Sequence, residues 1–197
     1  MFSGRYSRRS FLTVAGGMAI TSFAARGARA QVSANDKVNI AVIGNGGMGS
    51  RHIEALCDNP NCNILALCDV VKTRYTQMQG IVEQKTGKKP DVYQDFRKVL
   101  ERPDIDAVFV PTPDHWHPLI TILACEAGKD VYVEKPVCTT IEEGRAMVNA
   151  ARRYGRVVQA GTQQRSMPIF QQAIEIVHSG RLGQIISAGA WIGVNGF

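Results

Sequence analysis

The sequence predicts a doubly wound α/β fold, in which helices cover both faces of a parallel sheet. From residue 37 onward, short runs rich in β-branched residues alternate with longer amphipathic runs, the pattern of successive strand–helix–strand units. The predicted strands cover residues 38–43, 63–68, 107–110, 130–133 and 157–160, and a weak strand lies near Val92. The predicted helices cover residues 47–58, 71–86, 96–101, 117–127, 141–154 and 168–178.

The helix predicted at residues 141–154 is bounded by clear local signals. Either Thr139 or Thr140 can cap its N-terminus, and Glu142 and Glu143 place negative charge in its first turn. Gly155 follows its last residue, where a glycine commonly ends a helix. Both ends of this helix are therefore predicted from local chemistry alone.

The first predicted strand runs directly into a glycine-rich turn from which a helix begins. The turn consists of Gly44, Asn45, Gly46, Gly47, Met48 and Gly49. Glycines at this spacing permit a tight turn and let the backbone approach a pyrophosphate, which then lies at the positive end of the helix. The strand, turn and helix together predict a Rossmann-type dinucleotide-binding site, and an ordinary glycine turn is the alternative.

An acidic residue stands where such a site needs one. Asp69 ends the second predicted strand, twenty residues beyond Gly49. A carboxylate there accepts hydrogen bonds from the adenosine ribose hydroxyls, and its charge repels a 2′-phosphate. We therefore expect NAD as the cofactor rather than NADP, and a helix-capping aspartate is the alternative.

Two further motifs follow predicted strands, at the sheet edge where open α/β folds bind ligands. The run Thr112-Pro113-Asp114-His115-Trp116-His117 follows the strand at 107–110, and Glu134-Lys135-Pro136 follows the strand at 130–133. Together with the glycine turn, these motifs resemble the Gfo/Idh/MocA family of oxidoreductases. The resemblance extends from Asp36 to about Gly193.

The resemblance implies roles for the residues of both motifs. Thr112, Pro113, Trp116 and His117 would line the nicotinamide half of the cofactor, with Trp116 offering a flat apolar face. Glu134 would contact the nicotinamide ribose. The alternative for His117 is a hydrogen-bonding role at the start of its helix.

Lys135 is the one candidate catalytic residue, because the resemblance implies that it points at the reacting carbon of the substrate. Oxidation of a sugar C–H requires its hydroxyl proton to leave, and a cation beside that oxygen stabilises the developing alkoxide. The alternative is a salt bridge between Lys135 and Glu134 or another acid.

The last part of the chain carries weaker signals. Residues 160–165 resemble a family segment that closes over the nicotinamide, which makes Gln163 a cofactor-binding candidate, with a helix-entry loop as the alternative. Residues 184–194 resemble the first strand of another sheet. We expect residues 31–183 to form the NAD(P)-binding domain and 184–197 to begin a truncated second domain for substrate binding and oligomerisation. Whether the full-length protein is a homo-oligomer stays open.

The first thirty residues have the features of a twin-arginine (Tat) signal peptide. Ser7-Arg8-Arg9-Ser10-Phe11-Leu12 precedes a weakly apolar stretch at 14–25, and Ala28-Arg29-Ala30 supplies a small-x-small cleavage site. The stretch is shorter than the roughly twenty residues of a membrane span, so we expect no stable span. We expect the Tat machinery to export the folded protein, already loaded with cofactor, to the periplasm or the cell exterior.

Composition argues against two other classes of function. Five of the arginines lie in the first thirty residues, which carry no acid, so a net charge of +6 for the chain becomes +1 for the remainder. A body so close to neutrality lacks the basic surface expected of a nucleic-acid-binding protein. The five cysteines form no CxxC pair and have no histidine cluster nearby, so we expect no metal site.

The leading hypothesis is an NAD(P)-dependent oxidoreductase that acts on a sugar, an inositol or a related polyol by hydride transfer. One alternative is an NAD-dependent glycosidase that resembles the same family and uses transient oxidation to assist elimination. That branch lacks the lysine of the Glu-Lys-Pro motif, so Lys135 favours the oxidoreductase. The other alternative is a non-catalytic cofactor-binding module, because these 197 residues are expected to lack a complete active site.

Replacing Arg8 and Arg9 together by lysine should retain the precursor in the cytoplasm. The address is recognised by a receptor, and lysine does not reproduce the planar, bidentate geometry of arginine. Cell fractionation measures the effect, with Arg5→Lys and Arg26→Lys as charge-conserving controls outside the motif. Unchanged export of the double variant would indicate a different kind of signal.

Overall fold

A computed structural model describes residues 37–190, so the proposed signal peptide lies outside the described residues. Six parallel strands form one sheet in the order β3-β2-β1-β4-β5-β6. The strands are β1 Val38–Ile43, β2 Cys62–Cys68, β3 Asp91–Tyr93, β4 Ala107–Val110, β5 Asp130–Glu134 and β6 Val158–Gly161. The predicted doubly wound α/β fold is confirmed, and each predicted strand boundary in this sheet agrees within a residue or two.

Six α-helices connect and follow these strands. They are α1 Gly47–Cys57, α2 Lys72–Thr86, α3 Phe96–Leu100, α4 His117–Glu126, α5 Ile141–Tyr154 and α6 Pro168–His178. Short 3₁₀ turns at Asp114–Trp116 and Gln163–Ser166 precede α4 and α6. The predicted helices are confirmed, and the differences of one residue at some ends are of the size expected for helix termini.

The direction in which successive strands are added to the sheet reverses at its centre. From β1 the chain proceeds outward through β2 to β3, and it then crosses back to place β4 on the other side of β1. The connections that leave β1 and β4 therefore diverge, which opens a crevice at the carboxyl ends of these two strands.

Alternate residues of β1 supply two separate cores. Ala41 and Ile43 pack on the face covered by α3, α4 and α5, whereas Ile40 and Val42 pack on the face covered by α1 and α2. This two-residue period is the geometry of a strand buried on both faces. Burying one such valine or isoleucine contributes about 1.5–3 kcal/mol, so both helical layers are held firmly against the sheet.

The N-terminus of α5 forms a complete capping box. The Thr140 side chain accepts a hydrogen bond from the Glu143 N–H at 3.2 Å, and the Glu143 carboxylate accepts one from the Thr140 N–H at 3.0 Å. The Thr139 hydroxyl donates to the same carboxylate at 2.7 Å. That bond, together with the hydrogen bonds from the backbone N–H groups of Thr139 and Thr140, lowers the pKa of Glu143. Of the two predicted candidates, Thr139 and Thr140, the N-cap of α5 is therefore Thr140.

The strand predicted at 184–194 is wrong over the part that the structure describes. Residues 184–190 have no regular secondary structure. A strand needs a neighbour to accept and donate its backbone hydrogen bonds, and no strand pairs with this segment among residues 37–190. Ile185 and Ile186 are exposed accordingly.

Between residues 37 and 190, no helix has the length and apolar character needed to cross a membrane. The apolar stretch predicted within the signal peptide precedes these residues.

Thr140→Ala should lower the free energy of unfolding by about 1 kcal/mol, because it removes the side-chain acceptor for the first turn of α5. Urea denaturation measures the loss. Thr73→Ala, an exposed threonine in the first turn of α2, is the matched control and should change stability by less than about 0.5 kcal/mol. Equal effects of the two variants would contradict a capping role.

Candidate functional site

A cleft of about 550 Å³ lies at the carboxyl ends of β1, β2 and β4, where the strand order of the sheet reverses. Four segments line it: the glycine turn, the end of β2 with the start of α2, the loop after β3, and the loop after β4. The sequence-predicted site residues in this lining are Gly44, Gly46, Gly47, Met48, Asp69, Thr112, Pro113 and Trp116.

The glycine turn is built so tightly that two positions exclude a side chain. At Gly44, with φ of +102°, a Cβ atom would lie 3.1 Å from the backbone of Pro111 and from Thr112. At Gly49, a Cβ atom would overlap the Gly44 carbonyl oxygen. These contacts let α1 start directly against the end of β1.

The start of α1 has the properties of an anion-binding cradle. Its N-cap residue is Gly46, which offers no side-chain cap, and its first turn contains no acidic residue. A Cβ atom at Gly47 would meet nothing within 4 Å, so the turn is open on the cleft side. Backbone N–H groups at a helix start, with space beside them, fit the pyrophosphate of a dinucleotide.

Thr112 gives a second indication that this cleft fits a polar ligand. Its Oγ1 is one of three buried side-chain atoms without a hydrogen-bond partner among the described residues. Thr112 also adjoins the glycine turn at Gly44. Unpartnered buried oxygens are uncommon, so the chemistry of this wall favours an occupant with hydrogen-bonding groups.

Asp69 is held in a fixed orientation at the edge of the cleft. Its Oδ2 accepts a hydrogen bond from the Asn45 N–H at 2.7 Å, and its Oδ1 accepts one from the Val71 N–H at 2.9 Å. Each carboxylate oxygen retains a further lone pair, which suits a ribose hydroxyl as donor. Asn45 itself is 3% exposed, so its backbone shapes the turn while its side chain stays outside the cleft.

The neighbouring thiol contributes apolar surface rather than chemistry. Cys68 lines the cleft beside Asp69. Burial raises the pKa of the Cys68 thiol to about 12, and the charge of Asp69 adds to the effect. The thiol is therefore protonated at neutral pH.

Ten of the residues that line the cleft were not predicted as site residues, and three of them, Phe96, Arg97 and Arg74, carry aromatic or cationic side chains. Phe96 and Arg97, at the start of α3, form a wall with Trp116: the Phe96 and Trp116 rings lie edge to face at 6.4 Å, and the Arg97 guanidinium lies 5.2 Å from the Phe96 ring centre. Arg74 in α2 places its guanidinium about 3.6 Å from where a Cβ of Gly46 would be. A cation beside the cradle suits a phosphate.

The Glu-Lys-Pro motif lies at the same edge of the sheet, outside the cleft lining. Val110 of β4 pairs with Val133 of β5, so the residues that follow these two strands are neighbours. Lys135 is exposed there, and the Lys135–Pro136 peptide bond is cis. Gln163 is also exposed, in the 3₁₀ turn after β6. The roles assigned to Lys135 and Gln163 stay predictions.

Glu134 and His117 are buried instead of facing the cleft. Glu134 is 3% exposed and accepts hydrogen bonds from within the protein. His117 is 1% exposed, and its Nδ1 and Nε2 lie 2.7 Å and 2.8 Å from the carbonyl oxygens of Pro136 and Thr112. This placement of His117 corresponds to the alternative of a hydrogen-bonding residue at a helix start. The contact of Glu134 with the nicotinamide ribose stays a prediction.

Over residues 37–190, no group of three or more His, Cys, Asp or Glu side chains is arranged to hold a metal ion. The cysteines of this region are free, and two of them, Cys68 and Cys125, are buried.

The fold and the cleft together define a dinucleotide-binding α/β protein. The sequence matches the Gfo/Idh/MocA family, described as an oxidoreductase family with an NAD-binding Rossmann fold, over residues 38–162. The match covers more than half of the chain, so the chain belongs to this family.

Comparison with curated proteins adds two kinds of relative. A glycosyl hydrolase family 109 protein of Shewanella putrefaciens is 33% identical over 122 residues, which are 60% of this chain and 27% of that protein. A levoglucosan dehydrogenase of Pseudarthrobacter phenanthrenivorans is 30% identical over 154 residues, which are 76% of this chain and 39% of that protein. The chain therefore spans well under half the length of these relatives.

Comparison with solved structures gives a similar result. The scyllo-inositol dehydrogenase of Lactobacillus casei, solved with bound NAD(H) and scyllo-inositol, has a TM-score of 0.66 and 25% sequence identity to this chain. The similarity covers 75% of this chain and 42% of that protein. The chain therefore spans well under half the length of that protein as well.

The chain should bind NAD more tightly than NADP, because the fixed Asp69 carboxylate accepts from ribose hydroxyls and repels a phosphate. Asp69→Ala should weaken NAD by about tenfold and NADP by less. Calorimetric titration with each cofactor measures both affinities, and Asp58→Ala, an exposed aspartate after α1, is the control.

A second variant, Asp69→Asn, keeps an acceptor for the Asn45 N–H but removes the charge. It should narrow the preference for NAD over NADP. Equal affinities of the unaltered chain for the two cofactors would contradict the role of Asp69.

Proposed function

We propose that the protein is an NAD-dependent oxidoreductase that oxidises or reduces a sugar, an inositol or a related polyol. The observation that carries the proposal is the exposed Lys135, which follows β5 at the same sheet edge as the cofactor cleft. Relatives named as a levoglucosan dehydrogenase and a scyllo-inositol dehydrogenase support this class of substrate.

The residues of this chain divide the work between binding and proton handling. Bound NAD would supply the acceptor for the hydride that leaves the substrate carbon. The cradle at Gly46 and Gly47 would hold the pyrophosphate, and Asp69 would hold the adenosine ribose. Lys135 would stand beside the substrate hydroxyl, whose proton would pass to solvent at this exposed position, and the Lys135 ammonium would stabilise the negative charge that develops on the oxygen as the carbonyl forms.

A glycosidase that uses bound NAD for transient oxidation is the second candidate. The relatives named as glycosyl hydrolase family 109 proteins favour it, at 33% identity for the Shewanella putrefaciens protein. In that chemistry bound NAD would end each turnover in its starting oxidation state, so no net NADH would accumulate. Net NADH production on a polyol would favour the oxidoreductase, and release of an aglycone without net NADH would favour the glycosidase.

We also propose that residues 1–30 direct export of the protein by the Tat route. The Ser-Arg-Arg-Ser-Phe-Leu run supports the proposal, and a cofactor carried through export would have to be bound before it. The retention expected for the Arg8 and Arg9 double variant tests it.

Lys135→Met in the full-length gene product should leave NAD affinity within about twofold and lower turnover about a hundredfold. The reason is that Lys135 lies outside the cleft that holds the cofactor. Calorimetry measures NAD affinity, and NADH absorbance measures turnover on a panel of polyols. Lys89→Met, an exposed lysine after α2, is the control. Loss of NAD affinity in Lys135→Met would mean that the lysine is structural.

A further inference from the structure

We propose that His52 is a positioning residue for Lys135 and that it acts through Glu134, whose carboxylate holds the backbone of Lys135 rather than the cofactor. The proposal rests on the proposed function, in which Lys135 faces the substrate. His52 lies in α1, the helix whose first turn forms the pyrophosphate cradle.

His52 makes a direct hydrogen bond to Glu134. The distance from His52 Nε2 to Glu134 Oε1 is 2.7 Å, and the two side chains are 17% and 4% exposed. A carboxylate only accepts hydrogen bonds, so Nε2 carries the hydrogen. The imidazole packs near the rings of Phe109 and Tyr132, at 5.7 Å and 5.3 Å between centroids. These contacts leave the ring little freedom to turn away.

Glu134, held by His52, in turn holds the backbone of Lys135. Its second oxygen, Oε2, accepts the backbone N–H of Lys135 at 3.0 Å. Gly161 of β6 lies against it, because a Cβ atom there would come within 3.1 Å of Glu134 Cα and Cδ. Both oxygens of a confined carboxylate are thus used inside the protein. Removing one partner of a buried carboxylate is costly, so the arrangement depends on His52.

The other end of the same segment is held from the opposite side. The carbonyl oxygen of Pro136 lies 2.7 Å from His117 Nδ1, and His117 Nε2 lies 2.8 Å from the carbonyl oxygen of Thr112. The backbone of Lys135 and Pro136 is therefore tied to α1 through Glu134 and to the start of α4 through His117. The lysine side chain is left exposed on a fixed backbone, which is what precise placement beside a substrate requires.

The experiment compares His52→Leu, His52→Gln and Glu134→Gln, with His178→Leu as the control on an exposed histidine of α6. Glutamine at position 52 can still donate to the Glu134 carboxylate, whereas leucine cannot. Calorimetry on the 197-residue chain measures NAD affinity, and NMR of ¹⁵N-lysine-labelled protein measures hydrogen exchange of the Lys135 amide.

We expect His52→Leu and Glu134→Gln to speed exchange of the Lys135 amide by about tenfold, a change that corresponds to loss of one charge-assisted hydrogen bond. His52→Gln should restore most of the protection, and His178→Leu should match the unaltered chain. NAD affinity should stay within about twofold in all four variants, since Glu134 lies outside the cleft. Circular dichroism confirms that each variant is folded, and His52→Gln keeps the comparison valid if His52→Leu does not fold.

In the full-length gene product, His52→Leu should lower kcat about tenfold with little change in KM, and His52→Gln should recover it. Unchanged exchange of the Lys135 amide in His52→Leu, or equal impairment of His52→Leu and His52→Gln, would overturn the proposal. So would a tenfold loss of NAD affinity in Glu134→Gln, which would place Glu134 on the cofactor. Absence of turnover in the unaltered protein overturns the proposed function instead, and the exchange rates then still decide whether His52 holds Lys135.

Discussion

The Gly44 carbonyl oxygen occupies the space in which a side chain at position 49 would begin, and most of the cleft depends on this contact. It allows α1 to start at the very end of β1, so the helix N-terminus opens into the crevice rather than against another element. The same tight turn brings the Asn45 N–H within 2.7 Å of Asp69, at the end of the neighbouring strand. Cradle and carboxylate are therefore fixed relative to each other by backbone geometry.

A single helix connects the two halves of the site. The first turn of α1 forms the cradle, and His52, less than one turn after Gly49, reaches the Glu134 carboxylate. Since Glu134 accepts the Lys135 N–H, the candidate cofactor cradle and the candidate proton-handling lysine share one rigid support. Hydride and proton transfer both require placement to within a fraction of an ångström, and a common support lowers the cost of keeping it.

Much of the site could be predicted because its residues belong to short motifs of the sequence. The glycine turn and Asp69 are recognisable from a strand, a turn, a helix and an acid in order, and the structure places them together. Phe96 and Arg74 were missed because they reach the cleft from α3 and α2. The packing of these helices on the sheet, and not a local sequence motif, places them there. The strand predicted from Gln184 onward shows the opposite failure: its apolar residues had the right pattern, yet 184–190 lacks a partner to pair with in the described region.

The sequence by itself determined the alternation of strands and helices, the ends of α5 to within a residue and the glycine turn, because each depends on residues close together in the chain. Only the tertiary structure decided what the polar side chains of the two later motifs contact. Glu134 and His117 turn inward, the first to His52 and Lys135 and the second to two backbone carbonyls, whereas Trp116 faces the cleft. Contacts of this kind join residues as far apart as His52 and Glu134, and their geometry is set by the order of strands in the sheet and by the packing of helices on it.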